Sequence, residues 1–200
     1  MVKEFWDQRY SGEEYAYGTK PNLFFKTFID SYPPGKILLP GEGEGRNAVY
    51  AALKGWEATA IDHSEEGMIK AKKLASLNQV SIAYLVQDLT TINKNPEKYD
   101  AIALVFVHLP PDTRTTIHQK LISMLKPGGW LLMEAFNKKQ LGRNTGGPPD
   151  ADMLYDEQVL QRDFKSLEIL ELYEKLESFD EGPYHQGIGS IIRMIAKKTP

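Results

Sequence analysis

Two hundred residues, 42% hydrophobic and 26% charged, suit one folded domain able to bury a core without covalent staples. A formal net charge of −3 argues against general nucleic-acid binding, which depends on Lys and Arg neutralising phosphates, and the lack of cysteine removes disulfides, thiolate metal sites and cysteine nucleophiles. The opening MVKEFWDQRY carries charges where a signal peptide needs an apolar core, and no apolar run approaches the roughly 20 residues that span a bilayer, so a cytoplasmic chain is expected.

The first 21 residues are rich in aromatics (Phe5, Trp6, Tyr10, Tyr15, Tyr17) and read as a lid over one end of a sheet, within one domain spanning 1–200. Residues 36–39 form a short apolar strand that runs into a glycine loop. Residues 46–54 (RNAVYAALK) read as a helix closed by Gly55, and 56–61 (WEATAI) as a strand. Ser64 caps a helix reaching about Leu77, with Glu65 and Glu66 placed in its first turn, where they suit the helix dipole.

A strand over 81–86 follows. Residues 99–107 (YDAIALVFV) are the most continuous apolar run and predict a central strand buried on both faces. Pro111 opens a helix to Leu125, Lys126-Pro127-Gly128-Gly129 forces a turn, and 130–136 is a strand. A helix over 153–164 precedes strands at 167–176 and 188–196. Alternation of this kind predicts a three-layer α/β fold, Rossmann-like, with a seven-stranded mostly parallel sheet and helices on both faces. No helix separates the last two strands, so they should pair antiparallel at one edge.

Ligands of such sheets bind beyond the carboxyl ends of the strands. Gly41, Gly43 and Gly45 follow the first strand, Asp62 and His63 the second, Gln87 and Asp88 the third, and His108 the fourth. The dinucleotide fingerprint G-x-G-x-x-G fails, because its third glycine would fall on Arg46 or Ala48. Asp62, 21 residues after Gly41, suits two hydrogen bonds from vicinal ribose hydroxyls, in NAD or another adenosine ligand. Asp88 suits an exocyclic adenine amine and a turn equally well.

KILLPGEGEGRNAVYAALKGWEATAIDHSEEGMIKAK, VQDLT, YDAIALVFVHL and LKPGGWLLMEAF resemble the successive motifs of class I S-adenosylmethionine-dependent methyltransferases. FWDQRYSGEEYAYGTKPN, TGGPPD and DEGPYHQG resemble the tellurite-resistance and thiopurine methyltransferase-like branch. The resemblance implies S-adenosyl-L-methionine as cofactor and S-adenosyl-L-homocysteine as product. It places Gly41 and Gly43, with Gly45, against the methionine part, Asp62 on the ribose, His63 beside the adenosine, and Asp88 and Leu89 at the base. Trp6, Arg9, Tyr10 and Tyr17 would form the lid, with Arg9 on the cofactor carboxylate. The family's acidic residue two positions before the first glycine is Leu39 here. Glu42 or Glu44 could supply that charge, although solvated glutamates are the commoner outcome.

Displacement at a sulfonium needs no acid for the leaving group, and a base only where the nucleophile carries a proton. His108 is one base candidate, being an imidazole at the end of a buried strand. His185 is the other, and resembles a histidine of the same branch. His118, in mid-helix, should be exposed, as should Arg193 in IIRMIA. Arg143 could hold an anionic group, and 140–149 reads as a loop beside the pocket mouth. The expected function is methyl transfer to a small molecule (a thiol, metalloid oxyanion or small metabolite) by a monomer or homodimer, with no metal, nucleic acid or membrane partner. A non-catalytic cofactor-binding module is the alternative, and an NAD-dependent oxidoreductase ranks below it.

Overall fold

A computed structural model describes residues 2–93 and 98–199. Its sheet has seven strands: β1 (Lys36–Pro40), β2 (Glu57–Asp62), β3 (Ala83–Val86), β4 (Tyr99–Val105), β5 (Leu125–Phe136), β6 (Glu168–Asp180) and β7 (Gln186–Lys197). Their order is β3-β2-β1-β4-β5-β7-β6. Neighbours from β3 through β5 pair in parallel, and β7 pairs antiparallel with both β5 and β6. The reversed strand is thus β7, one place in from the edge, and β6 at the edge points the same way as β5. Strand order reverses direction between β1 and β4, which is where a sheet of this kind opens a crevice.

Among the described residues six α-helices complete the fold: α1 (Val2–Tyr10), α2 (Leu23–Ser31), α3 (Arg46–Leu53), α4 (Glu65–Leu77), α5 (Pro111–Met124) and α6 (Glu157–Asp163). Side chains alternate across a strand, and both faces of the central strands are apolar. Ile37, Leu39, Ala101, Ala103 and Leu132 face one core with Phe25, Phe28 and Ile29 of α2, Ala48 and Ala51 of α3, and Ala71 of α4. Leu38, Ile102, Leu104, Leu131 and Met133 face the other with Ile117 and Leu121 of α5 and Leu160 of α6.

Helix α2 has no counterpart in the sequence reading, although Phe25, Phe28 and Ile29 carry helical spacing and the Asn22 side chain caps Phe25 N at 3.0 Å. The single helix expected over 153–164 divides into a 3-10 turn, Ala151–Met153, and α6, which starts at the Asp156 cap 2.7 Å from Val159 N. Strands β6 and β7 absorb half of SFDEGPYHQG, so the connection is a five-residue turn rather than a long loop.

His118, expected at the surface, is buried instead. Its Nδ1 lies 3.1 Å from Asp163, which also accepts from Arg114 Nε (3.2 Å) and the Thr115 hydroxyl (3.1 Å) and so ties α5 to α6. Burial works to raise the Asp163 pKa, but His118, Arg162 and Arg114 outweigh it and hold the carboxyl at about 2. A depressed carboxyl stabilises the fold above its unfolded pKa, and that stability is lost as pH falls through the folded value. Asp163→Asn should therefore lower stability at pH 7 by about 2 kcal/mol. The loss relative to wild type should fade between roughly pH 4 and pH 2 in urea unfolding curves.

Candidate functional site

Beyond β1 the chain turns through Gly41, Gly43 and Gly45, at φ +66°, +60° and +86°. Only glycine adopts that region freely. Each of the three also admits a neighbour: a Cβ would lie 2.9 Å from Val107 at Gly41, 2.6 Å from the Tyr10 hydroxyl at Gly43, and 2.5 Å from the Ala71 Cβ at Gly45. Asp62, at the end of β2, holds the loop from the other side. Its Oδ2 accepts from Gly43 N (2.9 Å) and its Oδ1 from Ser64 N (3.0 Å), and burial raises its pKa. The Tyr84 hydroxyl donates to Gly43 O at 2.6 Å. Next to Asp62, the His63 Nε2 is buried without a hydrogen-bond partner among the described residues.

Glu42 and Glu44, the candidates to supply the cofactor-binding charge in place of Leu39, are both buried rather than solvated. Glu42 Oε1 accepts from Asn47 N and Ala48 N, each at 2.7 Å, and Oε2 accepts from Asn47 Nδ2 at 3.4 Å, so the carboxyl caps the first turn of α3. It forms no ion pair among the described residues, and burial pushes its pKa up to about 7 against those bonds and the nearby Arg46 charge. Glu44 pairs with Lys70 at 2.8 Å and accepts from Ala16 N at 2.7 Å. Leu39 packs in the apolar core between α2 and α3. The Gly43 amide thus goes to Asp62, and the first amides of α3 go to Glu42. Asp88 lies exposed at the end of β3, where its Oδ1 accepts from the Thr90 amide (2.7 Å) and hydroxyl (2.8 Å), and Leu89 is half-buried against the core.

The amino-terminal segment lies over this loop. Asp7 accepts from the Ser64 hydroxyl (2.6 Å) and Glu65 N (3.1 Å), docking α1 on the start of α4. Trp6 stacks on Tyr10 with centroids 5.4 Å apart, and its ring is 6.4 Å from Tyr17. Arg9 donates to the Tyr17 hydroxyl at 3.3 Å and lies 3.7 Å over the Tyr184 ring. It has no carboxylate partner among the described residues, so this half-buried guanidinium keeps donors for an anion.

Past β4, Phe106 adopts φ +55°, a strained conformation for a bulky side chain. Its ring packs 4.8 Å from Phe136 and 4.6 Å from His185. His185 lies buried in the turn between β6 and β7, also ringed by Tyr17 (4.5 Å) and Phe179 (5.6 Å). Its Nδ1 faces Glu181 Oε2 at 3.4 Å, and burial lowers its pKa against the pull of that carboxylate. The 140–149 loop reaches it too: a Cβ on Gly146 would lie 2.8 Å from the His185 ring.

His108 is placed differently. Its Nδ1 pairs with Met153 O at 3.0 Å, and its Nε2 accepts from Phe136 N at 3.3 Å, so both ring nitrogens are committed to backbone. Burial holds its pKa down to about 4. The imidazole clamps the ends of β4 and β5 to the following turn. Arg193, expected in solvent, is buried between Glu134 and Glu177. Arg143 is exposed. Residues that sequence reasoning passed over are Phe106, Tyr84, Arg46 and Glu181. Only Glu181, four residues before His185, had a sequence signal.

A groove of about 480 Å³ runs between α2 and the β6–β7 pair, lined by Phe24, Tyr32, Tyr173 and Arg193 among others. It does not include the glycine loop, Asp62 or His185.

Residues 37–129 match the methyltransferase domain family. The chain is 26% identical over 145 residues to the probable S-adenosyl-L-methionine-dependent methyltransferase TehB of Haemophilus influenzae, covering 72% of this chain and 49% of that one. It is 31% identical over 123 residues to probable thiol methyltransferase 2 of Arabidopsis thaliana, covering 60% and 53%. The chain spans about half the length of these curated relatives. Among solved structures, the N-methyltransferase NodS of Bradyrhizobium japonicum in complex with S-adenosyl-L-homocysteine superposes with a TM-score of 0.75 at 15% identity, over 100% of this chain and 99% of that one.

Proposed function

We propose that this chain, whose residues 37–129 match the methyltransferase domain family and whose fold is shared with an S-adenosyl-L-homocysteine-bound methyltransferase, moves a methyl group from S-adenosyl-L-methionine to a small protic acceptor, a thiol before a hydroxyl. The observation that carries the reading is the pairing of two half-sites. A glycine loop with Asp62 follows β1 and β2, and a buried imidazole facing a carboxylate packs on Phe106 just past β4.

The residues fit the cofactor on this chain's own geometry. Three left-handed glycines set the sharp turn of the loop after β1, Asp62 is held in place by two amides, and the buried His63 Nε2 lacks a protein partner among the described residues, one that a nucleoside would provide. Asp62 binds the ribose, His63 and Leu89 flank the adenosine, and Asp88 takes the adenine amine. Trp6 and Tyr17 close over the ligand, and Arg9 takes its carboxylate. Glu42 caps α3 and is not assigned to the ligand. When bound, the cofactor supplies an electrophilic methyl on a sulfonium sulfur.

His185 is assigned as the base. An Nδ1–H directed at Glu181 leaves the Nε2 lone pair available, and burial keeps the ring neutral near pH 7. It takes the acceptor's proton and passes it to solvent. His108, with both nitrogens engaged, is assigned to the fold. Phe106, Phe136 and Phe179 present an apolar wall that favours a neutral acceptor body over a hydrated oxyanion.

Calorimetry with S-adenosyl-L-homocysteine tests the reading directly: saturable binding to one site supports it, and no heat at any concentration removes it. Asp62→Ala should weaken that binding by about 1.5–3 kcal/mol, the worth of hydrogen bonds to a charged group. Wild-type affinity in a folded Asp62→Ala protein would take Asp62 out of the site.

A further inference from the structure

Arg46, the first residue of α3, touches three separate parts of the chain. It follows Gly45 directly, so it belongs to the glycine loop. Its Nη1 donates to the Tyr17 carbonyl of the lid at 3.0 Å. Its Nη2 meets Glu181 Oε2 at 2.9 Å, with both side chains largely buried. The same Glu181 oxygen is the one that faces His185 Nδ1.

The lid strap and the β6–β7 turn meet backbone to backbone at this point. Gly182 sits at φ +72°, and a Cβ there would lie 2.5 Å from Gly18 N. Tyr184 N donates to Ala16 O at 3.3 Å. Loop, strap and turn are therefore joined around one guanidinium, and the imidazole hangs from its carboxylate partner.

We propose that Glu181 and Arg46 are positioning residues for His185: Glu181 fixes the imidazole with its proton on Nδ1 and its Nε2 lone pair free, and Arg46 ties that pair to the glycine loop and the closed lid. The proposal rests on the assignment of His185 as the base. A carboxylate behind an imidazole selects the tautomer by accepting from one ring nitrogen. A guanidinium with two donors in a fixed plane holds that carboxylate and the strap carbonyl at once. Glu181 and Arg46 act on the ring with opposite sign, the first favouring imidazolium and the second opposing it. The other groups that face the ring are Arg9, Tyr17 and His108.

The test uses ¹⁵N-histidine-labelled protein and two-bond nitrogen–proton correlation, with the His185 signals assigned from His185→Gln. Wild type should show His185 as the Nδ1–H tautomer at neutral pH. Glu181→Gln should move its titration to lower pH and Arg46→Gln to higher pH. With an acceptor thiol, Glu181→Gln should lower kcat by roughly 10- to 100-fold, the range seen for carboxylate partners of metal-binding histidines, with affinity for S-adenosyl-L-homocysteine unchanged. Should Glu181→Gln fail to fold, Glu181→Asp keeps the charge and shortens the reach, so the tautomer balance should shift toward Nε2–H. An unchanged tautomer and titration in the Glu181 variants, or shifts of one sign in Glu181→Gln and Arg46→Gln, overturn the proposal. Failure of the methyltransferase reading shows separately, as wild-type protein that does not bind S-adenosyl-L-homocysteine.

Discussion

Replacing His185 with glutamine is expected to lower kcat for a protic acceptor by about 10²–10⁴-fold, the usual contribution of a positioned base. Cofactor affinity should stay near wild type, because the ring packs on Phe106, Phe136 and Phe179, away from the glycine loop and Asp62, and meets the cofactor's surroundings only at the Tyr17 ring. Glutamine keeps much of the volume and a polar end toward Glu181, so the aromatic shell need not collapse. A base works only when unprotonated. The buried His185 has its pKa lowered from 6.5, so wild-type kcat should climb along an acid limb below that value and then level off. In His185→Gln that limb should vanish. The decisive comparison is with a preformed thiolate. An acceptor whose thiol is already ionised at the assay pH has no proton to lose, so the variant should recover most of its rate. An equal loss with ionised and protonated acceptors would mean that His185 shapes the pocket and moves no proton.

The strands and helices that build the crevice were legible because their signals are local and repeated. YDAIALVFV could only be a strand buried on both faces, and Ser64 with two following glutamates could only open a helix. Asp62 and the glycines could be singled out for the same reason: they sit at fixed offsets from elements that the pattern locates. Burial of charge was not legible. Glu42, Glu44, Arg193 and His118 look like surface residues in a one-dimensional reading, and each is buried by a partner distant in sequence or by the start of a helix. His108 and His185 are equivalent on sequence grounds, one at a strand end and one in a turn. What separates them is which ring nitrogen is left free, and that depends on Met153, Phe136 and Glu181 arriving from other elements. The reach of Arg46 to Glu181 spans 135 positions and had no signal at all.

Gly45→Ala should be among the most destabilising single changes in the chain. Gly45 sits at φ +86°, and a residue with a Cβ pays about 1–2 kcal/mol to occupy the left-handed region. The added carbon would also stand 2.5 Å from the Ala71 Cβ and 2.8 Å from its Cα. Ala71 is in the middle of α4, so relief requires moving helix backbone rather than turning a side chain, and overpacking of that kind costs a further 1–3 kcal/mol or so. The sum, roughly 2–5 kcal/mol, is a large share of the 5–15 kcal/mol that holds a typical domain together. A shift of α4 would carry Ser64 with it, and through Ser64 both the Asp62 and Asp7 contacts. The variant should therefore lose cofactor affinity even in molecules that remain folded. Gly43→Ala is the control. There the clash is with the buried Tyr10 hydroxyl at 2.6 Å, on the amino-terminal helix α1 rather than on helix backbone packed against the sheet, so its cost in stability should be smaller while its cost in lid docking is larger. Urea midpoints for the two variants should rank Gly45→Ala below Gly43→Ala, with similar slopes. The reverse ranking would show that α4 yields more readily than α1, and that the lid, not the helix behind the loop, is the rigid wall of the site.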